Sequence, residues 1–354
     1  MQEPLHISTA DTGLFEERIR CSRRIGIVTH TRPDGDAVGS CLALLRAVDA
    51  LDGCAGKCRI LLDTPAPDAV RFLFSPGETA RTTVCSEDPE AMAAYVAQCD
   101  LLVFLDLNRL ERAGGMEAAL SASPARRILV DHHLDPQRER FGLCFSDTGV
   151  SSTCELLYQV LVRFPAFEGK GLPAGCPDPL LTGITTDTNN FANSVSGRTL
   201  ETVSALLAAG ADRERILEQV YQTYPERRIR LLGHLLDREL VITEQGVALM
   251  ALDAETIRQF GITEGETEGF VNIPLAVDRV RMSLFLKQDG DEYRVSIRSK
   301  KGWSANRLAT RWFAGGGHEQ ASGGKIPLND RLKDKDDVVA WVLQCTRQFL
   351  SDEN

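Results

Sequence analysis

Short apolar segments that end in an acidic residue or a histidine recur through the first half of this chain. They are IGIVTH (25–30), RILLD (59–63), LLVFLD (101–106) and RILVDHH (127–133). Amphipathic patterns of helical length separate them, for example after Asp36 and from Ser151. Apolar strands that alternate with helices predict an α/β fold with a doubly wound, mainly parallel sheet. A further segment, LLTGITTD (180–187), fits either a fifth strand or a buried helix.

The pattern changes near residue 200. Residues 201–238 are almost entirely helical in pattern, interrupted at Gly210 and Pro225, and predict a linker of two or three helices. Later segments alternate as antiparallel strands do, with a hairpin turn at Asp289-Gly290, and helices flank a glycine-rich loop. The 354 residues suffice for two cores. We therefore predict a catalytic domain over 1–200, a helical linker over 201–238 and a smaller α+β domain over 239–354.

The charge and the composition exclude some classes of protein. The formal net charge is −10, with 43% hydrophobic and 25% charged residues. This globular composition disfavours a protein that coats long nucleic acid through a basic surface, but it allows a short anionic substrate in a local pocket. The beginning of the chain lacks the apolar core of a secretory signal, and no run approaches about 18 apolar residues. We expect a soluble, cytoplasmic protein without a membrane partner.

The ten cysteines carry no paired spacing that would indicate a disulfide framework. Cys54 and Cys58 form a single CxxxC without a second half or a nearby histidine, which disfavours a zinc site. Cys41 and Cys154 lie inside apolar helical patterns, where we expect reduced, buried thiols.

The predicted strand ends supply oxygen and nitrogen ligands but no thiolate. Ligands outside the carboxyl ends of parallel strands gather at one edge of the sheet, and carboxylates that share a pocket need cations to offset their charge. Two divalent ions about 3.5–4 Å apart are the usual arrangement for phosphoryl hydrolysis. The donor set favours Mn²⁺, with Mg²⁺ or Co²⁺ as alternatives. The candidate ligands at these predicted strand and helix ends are His30, Asp34, Asp36, Asp106, Asp131, His132, His133 and Asp187.

Asp63 also ends an apolar segment, but no histidine flanks it, and Pro65 and Pro67 interrupt the next helical pattern. An aspartate in this position is often the N-cap of the following helix. We interpret Asp63 as a structural cap rather than as a metal ligand.

Five motifs resemble those of the DHH phosphoesterase superfamily and its DHH-associated C-terminal domain. They occur in the family's order between about residues 25 and 325, as HTRPDGDAVGS, FLDLNRLERAG, VDHHLD, TGITTDTNNF and GGGHEQASGG. Within the superfamily, the chain resembles in its two-domain size the group of nanoRNA-degrading exonucleases with pAp-phosphatase activity.

The resemblance implies a role for each candidate residue. His30 and Asp34 would bind one ion, and Asp36 and His132 the other. Asp106 and Asp187 would bridge or contact both. The resemblance further assigns His133 to a phosphate contact or a proton donor and Asp131 to the orientation of the histidines. In the second domain, the implied substrate-binding residues are Arg298, Gly316, Gly317 and His318.

The resemblance also implies a function. We expect a metal-dependent phosphoesterase that degrades short single-stranded RNA exonucleolytically to 5′-mononucleotides and removes the 3′-phosphate of pAp. Two alternatives stay open: a phosphodiesterase for cyclic or linear dinucleotides such as c-di-AMP and pApA, and a nucleotide sensor without catalysis. A sensor is expected to have lost a ligand, and none of the six that the resemblance implies is missing. The cleavage polarity and the oligomeric state, a homodimer included, stay open.

Overall fold

The computed structural model describes residues 7–353, which divide into two compact units between Thr223 and Tyr224. Residues 1–6 and 354, which the predicted domain ranges include, lie outside the described residues. The three predicted ranges themselves stay predictions. Among the described helices, none combines the length and the apolar character that a membrane crossing requires.

A parallel sheet of six strands forms the centre of the first unit. The order across it is β3-β2-β1-β4-β5-β6, and each neighbouring pair is parallel. The strands are β1 (Ile25–Val28), β2 (Cys58–Leu62), β3 (Thr82–Val84), β4 (Leu101–Leu105), β5 (Arg126–Asp131) and β6 (Leu143–Ser146). The winding direction reverses between β1 and β4, which makes their carboxyl ends the expected ligand site of such a sheet. The α/β prediction is confirmed.

Helices cover both faces of this sheet. The strand β4 is buried on both faces. Val103 packs into one core together with residues of the helix Gly35–Asp49, and Phe104 packs into a second core on the opposite face of the sheet. The helices are α1 (Thr9–Cys21), α2 (Gly35–Asp49), α3 (Pro76–Ala80), α4 (Pro89–Ala97), α5 (Glu117–Ala122), α6 (Thr153–Leu161), α7 (Pro177–Asp187), α8 (Gly197–Ala208) and α9 (Arg213–Tyr221).

The segment LLTGITTD, for which the sequence allows a strand or a helix, forms the second half of α7. This helix packs closely against α2 and α6 because glycines lie at the contacts. A Cβ atom at Gly39 of α2 would come within 2.3 Å of the carbonyl oxygen of Pro179, and one at Gly183 within 2.3 Å of the Cys154 sulfur. The close approach brings the C-terminal end of α7 to the carboxyl edge of the sheet.

The second unit is built on a mixed sheet with the order β11-β12-β10-β9-β8-β7. Only the β8–β9 pair is parallel among its described pairs. The strands are β7 (Val241–Ile242), β8 (Val247–Leu252), β9 (Met282–Asp289), β10 (Glu292–Ser299), β11 (Gly316–Gly317) and β12 (Ala321–Pro327), and the helices are α10 (Glu226–His234), α11 (Ala254–Phe260), α12 (Ala305–Trp312) and α13 (Lys335–Glu353).

Two local features refine the sequence interpretation of this region. The β9–β10 hairpin turns at Gly290 and Asp291, one residue later than predicted, because Asp289 still pairs with Glu292 and Gly290 takes a φ of 61°. Around residues 201–238, for which the sequence predicts two or three linker helices, the structure has α8, α9 and α10, and α8 already begins at Gly197. The first two pack against α7, whereas α10 contributes Leu231 to a core of the second unit. All ten cysteines are free thiols, and eight of them are buried.

Candidate metal centre

The loops that follow β1, β4 and β5 bring the predicted ligands together at one edge of the parallel sheet. His30 lies two residues beyond the end of β1, Asp106 directly follows β4, and Asp131 ends β5 ahead of the two histidines. Among the described residues, Asp106 belongs to three clusters whose ligand atoms lie within 4.8 Å of one another. One of them adds Asp131 and His133, and the other two consist only of ligands among the six that the resemblance implies. Of these two, one contains His30, Asp34 and Asp106, and the other contains Asp36, Asp106 and His132.

The carboxylate of Asp106 contacts all three histidines of the site. Its Oδ2 atom lies 3.2 Å from Nε2 of His30, whereas its Oδ1 atom lies 3.5 Å from Nε2 of His132 and 3.4 Å from Nδ1 of His133. Its backbone has a φ of 58°, in the left-handed region that costs energy for a residue with a side chain. Such strained residues cluster at functional sites, and here the backbone directs a buried carboxylate into the centre of the cluster.

The beginning of α2 supplies two carboxylates with different environments. Asp34 is the N-cap of the helix, and its Oδ1 atom accepts hydrogen bonds from the backbone nitrogens of Asp36 (3.0 Å) and Ala37 (3.1 Å). Its side chain is 56% exposed and lies 3.9 Å from Nε2 of His30. Asp36, two residues later, is only 1% exposed and lies 3.9 Å from Nε2 of His132.

Asp187 reaches the site from the last turn of α7. Its Oδ2 atom lies 3.4 Å from Nε2 of His132, and its side chain is 26% exposed. The described contacts thus join Asp187 to the His132 side of the site. Whether it contacts one ion or two stays a prediction.

Two residues that sequence reasoning missed bind Asp36 from the first turn of α6. The backbone nitrogen of Thr153 donates to Oδ2 (2.7 Å), and that of Cys154 donates to Oδ1 (2.8 Å). The hydroxyl of Thr153 also donates to Oδ1 of Asp106 (3.0 Å). The available signal was the Ser-Ser-Thr sequence ahead of an amphipathic pattern, which marks a helix N-terminus whose free N–H groups favour an anion.

The pKa shifts of the carboxyl groups show that negative charge is concentrated in the site. Burial and the neighbouring charge of Asp106 raise the pKa of Asp36 to about 7. Burial likewise raises the pKa of Asp187 well above its ordinary value, although His132 opposes the shift. Burial also disfavours the charge of Asp106, but hydrogen bonds and charges from the histidines outweigh it and hold its pKa well below the ordinary value. Added positive charge would relieve this repulsion.

The pKa values of the two adjacent histidines, His132 and His133, are shifted in opposite directions. Burial opposes protonation of His132, but the hydrogen bond with Asp106 and the charge of Asp187 raise its pKa to about 10. For His133, burial prevails and lowers the pKa, although Asp106 and Asp131 act in the opposite direction. Nδ1 of His133 lies 2.9 Å from Oδ1 of Asp131, whose Oδ2 atom accepts from the His133 backbone nitrogen at 3.0 Å. The fully buried Asp131 thus fixes the ring of His133.

Asp63 lies outside these clusters, and its predicted role as a helix cap is wrong. The next helical turn starts at Asp68 with Pro67 as its N-cap. The carboxylate of Asp63 instead accepts hydrogen bonds from the hydroxyl of Thr31 and from the backbone nitrogen of Gly115. Asp63 thus links the segment after β1 to the segment after β4, and each of these carries a predicted ligand. This role is structural, but it is not helix capping.

The donor set fits a hard or borderline divalent cation. It consists of carboxylate oxygens and imidazole nitrogens. A thiol is present nearby, but burial raises the pKa of Cys154 well above its ordinary value, so the thiol stays protonated. It contacts the backbone oxygen of Asp36 at 3.5 Å instead.

The predicted substrate-binding residues lie together on the sheet of the second unit. Arg298 pairs with Ala321 across the β10–β12 ladder, and the backbone nitrogen of His318 donates to the carbonyl of Ala321 (2.8 Å). Gly316 and Gly317 form β11 opposite Gly323 and Ser322. Gly317 has a φ of 142°, which L side chains rarely adopt, whereas Gly316 is exposed and open to a close approach.

Comparison with protein families places both units. Residues 24–184 match the DHH family, N-terminal domain, and residues 245–346 match the DHHA1 domain. A protein of Thermus thermophilus named bifunctional oligoribonuclease and PAP phosphatase NrnA is 30% identical over 330 residues, which cover 92% of this chain and 90% of that protein. This chain belongs to the DHH phosphoesterase superfamily. It is an NrnA-like member, and the recognition from sequence motifs is confirmed.

Further similarities extend to another NrnA protein and to solved structures. The NrnA protein of Bacillus subtilis is 27% identical over 299 residues, 84% of this chain and 87% of that protein. A crystal structure of an exopolyphosphatase-related protein from Bacteroides fragilis is 31% identical, covers 99% of both chains and has a TM-score of 0.87. RecJ of Thermus thermophilus in complex with Mn²⁺ is 16% identical with a TM-score of 0.55 and shares the fold. As an NrnA-like DHH phosphoesterase, the protein is a hydrolase of phosphoric esters.

Proposed function

We propose that this hydrolase degrades short single-stranded oligoribonucleotides from one end, releases 5′-mononucleotides and removes the 3′-phosphate of pAp. The observation that carries the proposal is the similarity to the Thermus thermophilus oligoribonuclease and PAP phosphatase, because it spans 92% of this chain and includes both domains. Each of the six ligands that the resemblance implies is present in this sequence. A sensor that had lost catalysis would be expected to lack at least one.

We propose that the site works with two divalent cations, with Mn²⁺ as the preferred ion. The proposed holders are the two clusters of implied ligands that share Asp106, with Asp187 beside His132. Bound cations would supply the charge that lowers the pKa of water and stabilises a phosphoryl group during its transfer. The cluster of buried carboxylates supports this part of the proposal, since the carboxylates repel one another without such charge.

The chain's own residues have separate tasks in this proposal. The 2.9 Å contact with Asp131 assigns the tautomer of His133 in which Nδ1–H donates a hydrogen bond to the Asp131 carboxylate. Because burial lowers the pKa of His133, its ring is neutral near pH 7. Nε2 then accepts a proton from the attacking water as the water oxygen bonds to phosphorus. It gives that proton to the leaving oxygen as the bond from phosphorus to that oxygen breaks, which is the proton-donor role in two steps. Arg298 and His318 bind a substrate phosphate through charge-assisted and neutral hydrogen bonds.

A second candidate is the hydrolysis of cyclic or linear dinucleotides. The cyclic-di-AMP phosphodiesterase PdeA of Listeria monocytogenes is 27% identical over 225 residues, which cover 60% of this chain and 32% of that protein. This similarity covers less of both proteins than the similarity to NrnA, so the oligoribonuclease is the favoured function.

One panel of substrates separates the candidates. The purified protein with Mn²⁺ receives pAp, a diribonucleotide, an RNA of about 24 nucleotides, cyclic di-AMP and pyrophosphate, and kcat/KM is measured for each. We expect the highest values for the dinucleotide and pAp, because a chain with a net charge of −10 attracts a long anionic strand poorly. A preference for cyclic di-AMP would favour the second candidate. Asp36→Asn is the inactive control, and Asp178→Asn, at the opposite end of α7 from Asp187, is the active one.

A further inference from the structure

The first turn of α6 makes three hydrogen bonds to two carboxylates of the site, and Thr153 provides two of them. Its backbone nitrogen binds Asp36 at 2.7 Å, and its hydroxyl binds Asp106 at 3.0 Å. The side chain is fully buried. Thr153 therefore connects one carboxylate from the first turn of α2 with another directly after β4.

We propose that Thr153 is a positioning residue for the phosphoesterase reaction, whose hydroxyl fixes the orientation of the carboxylate that the two ligand clusters share. The proposal rests on the proposed function insofar as Asp36 and Asp106 bind cations. It adds a residue that lies outside the five sequence motifs.

The carboxylate of Asp106 needs such a partner because its two oxygens have different neighbours. Oδ2 faces His30 at 3.2 Å, and Oδ1 faces His132 at 3.5 Å. The terminal torsion of an aspartate is broad and roughly two-fold, so rotation would displace both oxygens at once. A hydroxyl that donates to Oδ1 favours one orientation and leaves further lone pairs on both oxygens for cations.

Thr153 is itself held in place. A β-branched side chain has few χ1 rotamers in a helix, which restricts the direction of its hydroxyl. The adjacent Ser152 caps α6 by accepting from the backbone nitrogen of Glu155 (3.1 Å). The buried carboxylate of Glu155 in turn accepts from the hydroxyls of Ser151 (2.6 Å) and Thr199 of α8 (2.9 Å). This network holds the first turn of α6 through Ser151, Ser152 and Glu155, which restricts movement of the Thr153 hydroxyl relative to Asp106.

The choice of substitution separates the hydroxyl from the backbone donors. Thr153→Val keeps the shape and the N–H bond to Asp36 but removes the bond to Asp106, whereas Thr153→Ser keeps a hydroxyl. Thr153→Ala also lacks the hydroxyl, adds no volume and carries the same expectation if the valine variant does not fold. Thr12→Val is a control for the loss of a buried hydroxyl, since Thr12 of α1 bonds only to backbone carbonyls in its described contacts.

The experiment measures Mn²⁺ binding to the metal-free protein by isothermal titration calorimetry, and kcat and KM on a dinucleotide. We expect Thr153→Val to bind Mn²⁺ about 10- to 100-fold more weakly, as is typical when a partner of a metal ligand is removed. Its kcat should fall by a larger factor than its KM changes. Thr153→Ser should recover to within a few-fold of the wild type, and Thr12→Val should bind Mn²⁺ like the wild type.

Two results would overturn the proposal: unchanged Mn²⁺ affinity and kcat in both variants without the hydroxyl, or a serine variant as impaired as the valine variant. Failure of the proposed function would look different. In that case the wild type itself would bind no Mn²⁺ or would hydrolyse none of the nucleotides.

Discussion

Nε2 of His132, directly after β5, lies 3.4 Å from Oδ2 of Asp187, in the last turn of α7. The contact joins two residues that are far apart in the chain and that belong to different kinds of secondary structure. It closes the site on the side away from His30, so that every candidate ligand in the first unit has at least one other candidate ligand within 4 Å.

The contact between His132 and Asp187 predicts the effect of neutralising the carboxylate. Asp187→Asn keeps the size of the side chain but removes a charge and a strong ligand. We expect Mn²⁺ affinity and kcat each to fall at least about 10-fold, as for other changes at a metal site. Calorimetry and steady-state kinetics measure the two effects, with Asp178→Asn in the first turn of the same helix as the control. Equal Mn²⁺ affinity in both variants would exclude Asp187 as a ligand.

Metal binding should release protons near neutral pH. In the metal-free protein, the pKa of His132 is about 10 and that of Asp36 about 7, so both groups hold protons that a cation must displace. A raised pKa means that the charge of His132 stabilises the metal-free fold below about pH 6.5 and that this contribution is lost as the pH rises through about 10. We therefore expect Mn²⁺ affinity to increase from pH 6 towards pH 9.

Calorimetry in two buffers with different ionisation enthalpies counts the protons released. We expect about one or more per protein at pH 7, and fewer in His132→Asn. An affinity that is independent of pH over this range would contradict the assignment of His132 and Asp36 as ligands.

The second domain should contribute to substrate binding without holding the metal. His318→Ala removes a side chain from the turn between β11 and β12, whose backbone bonds to Ala321, the pairing partner of Arg298. A hydrogen bond to a charged phosphate is worth about 1.5–3 kcal/mol. We expect kcat/KM to fall about 10- to 100-fold with Mn²⁺ affinity unchanged. His234→Ala, which removes another histidine of the second unit, is the control. Loss of Mn²⁺ in His318→Ala to the extent seen in His132→Ala would assign the glycine-rich loop to the metal site.

The close packing of α2 and α7 predicts a cost for any side chain at Gly39. A Cβ atom there would come within 2.3 Å of a backbone oxygen, which cannot rotate away. We expect Gly39→Ala to lower the free energy of unfolding by about 1–3 kcal/mol, as overpacking typically does. Gly197→Ala in α8 meets no atom within 4 Å and should leave stability equal or higher. Denaturation in urea compares the two variants, and equal stability would show that the two helices can separate without loss.

Much of the fold follows from local patterns. Apolar runs that end in Asp or His, separated by amphipathic segments, are enough to indicate parallel strands with helices between them, because burial on both faces requires that composition. The motifs likewise indicate which carboxylates and histidines belong to the site, although their assignment to particular ions stays a prediction. The strands of the second domain followed from their alternating pattern, but the Gly290 turn lies one residue later than predicted, and β8 pairs with β9 in parallel rather than antiparallel.

Only the tertiary structure decided features that depend on neighbours distant in sequence. The segment before Asp187 forms the end of α7, which packs closely on α2 and α6 because Gly39 and Gly183 leave room at the contacts, and a short apolar run reveals neither the helix nor its packing. Asp63 and Asp106 both follow apolar strands, yet Asp63 is bound by Thr31 and Gly115, while the left-handed backbone of Asp106 directs it towards three histidines. Thr153 reaches the site because the first turn of α6 lies against Asp36 in the first turn of α2 and against Asp106 after β4. Sequence periodicity reports burial along one element, whereas these contacts arise from the order in which the elements pack.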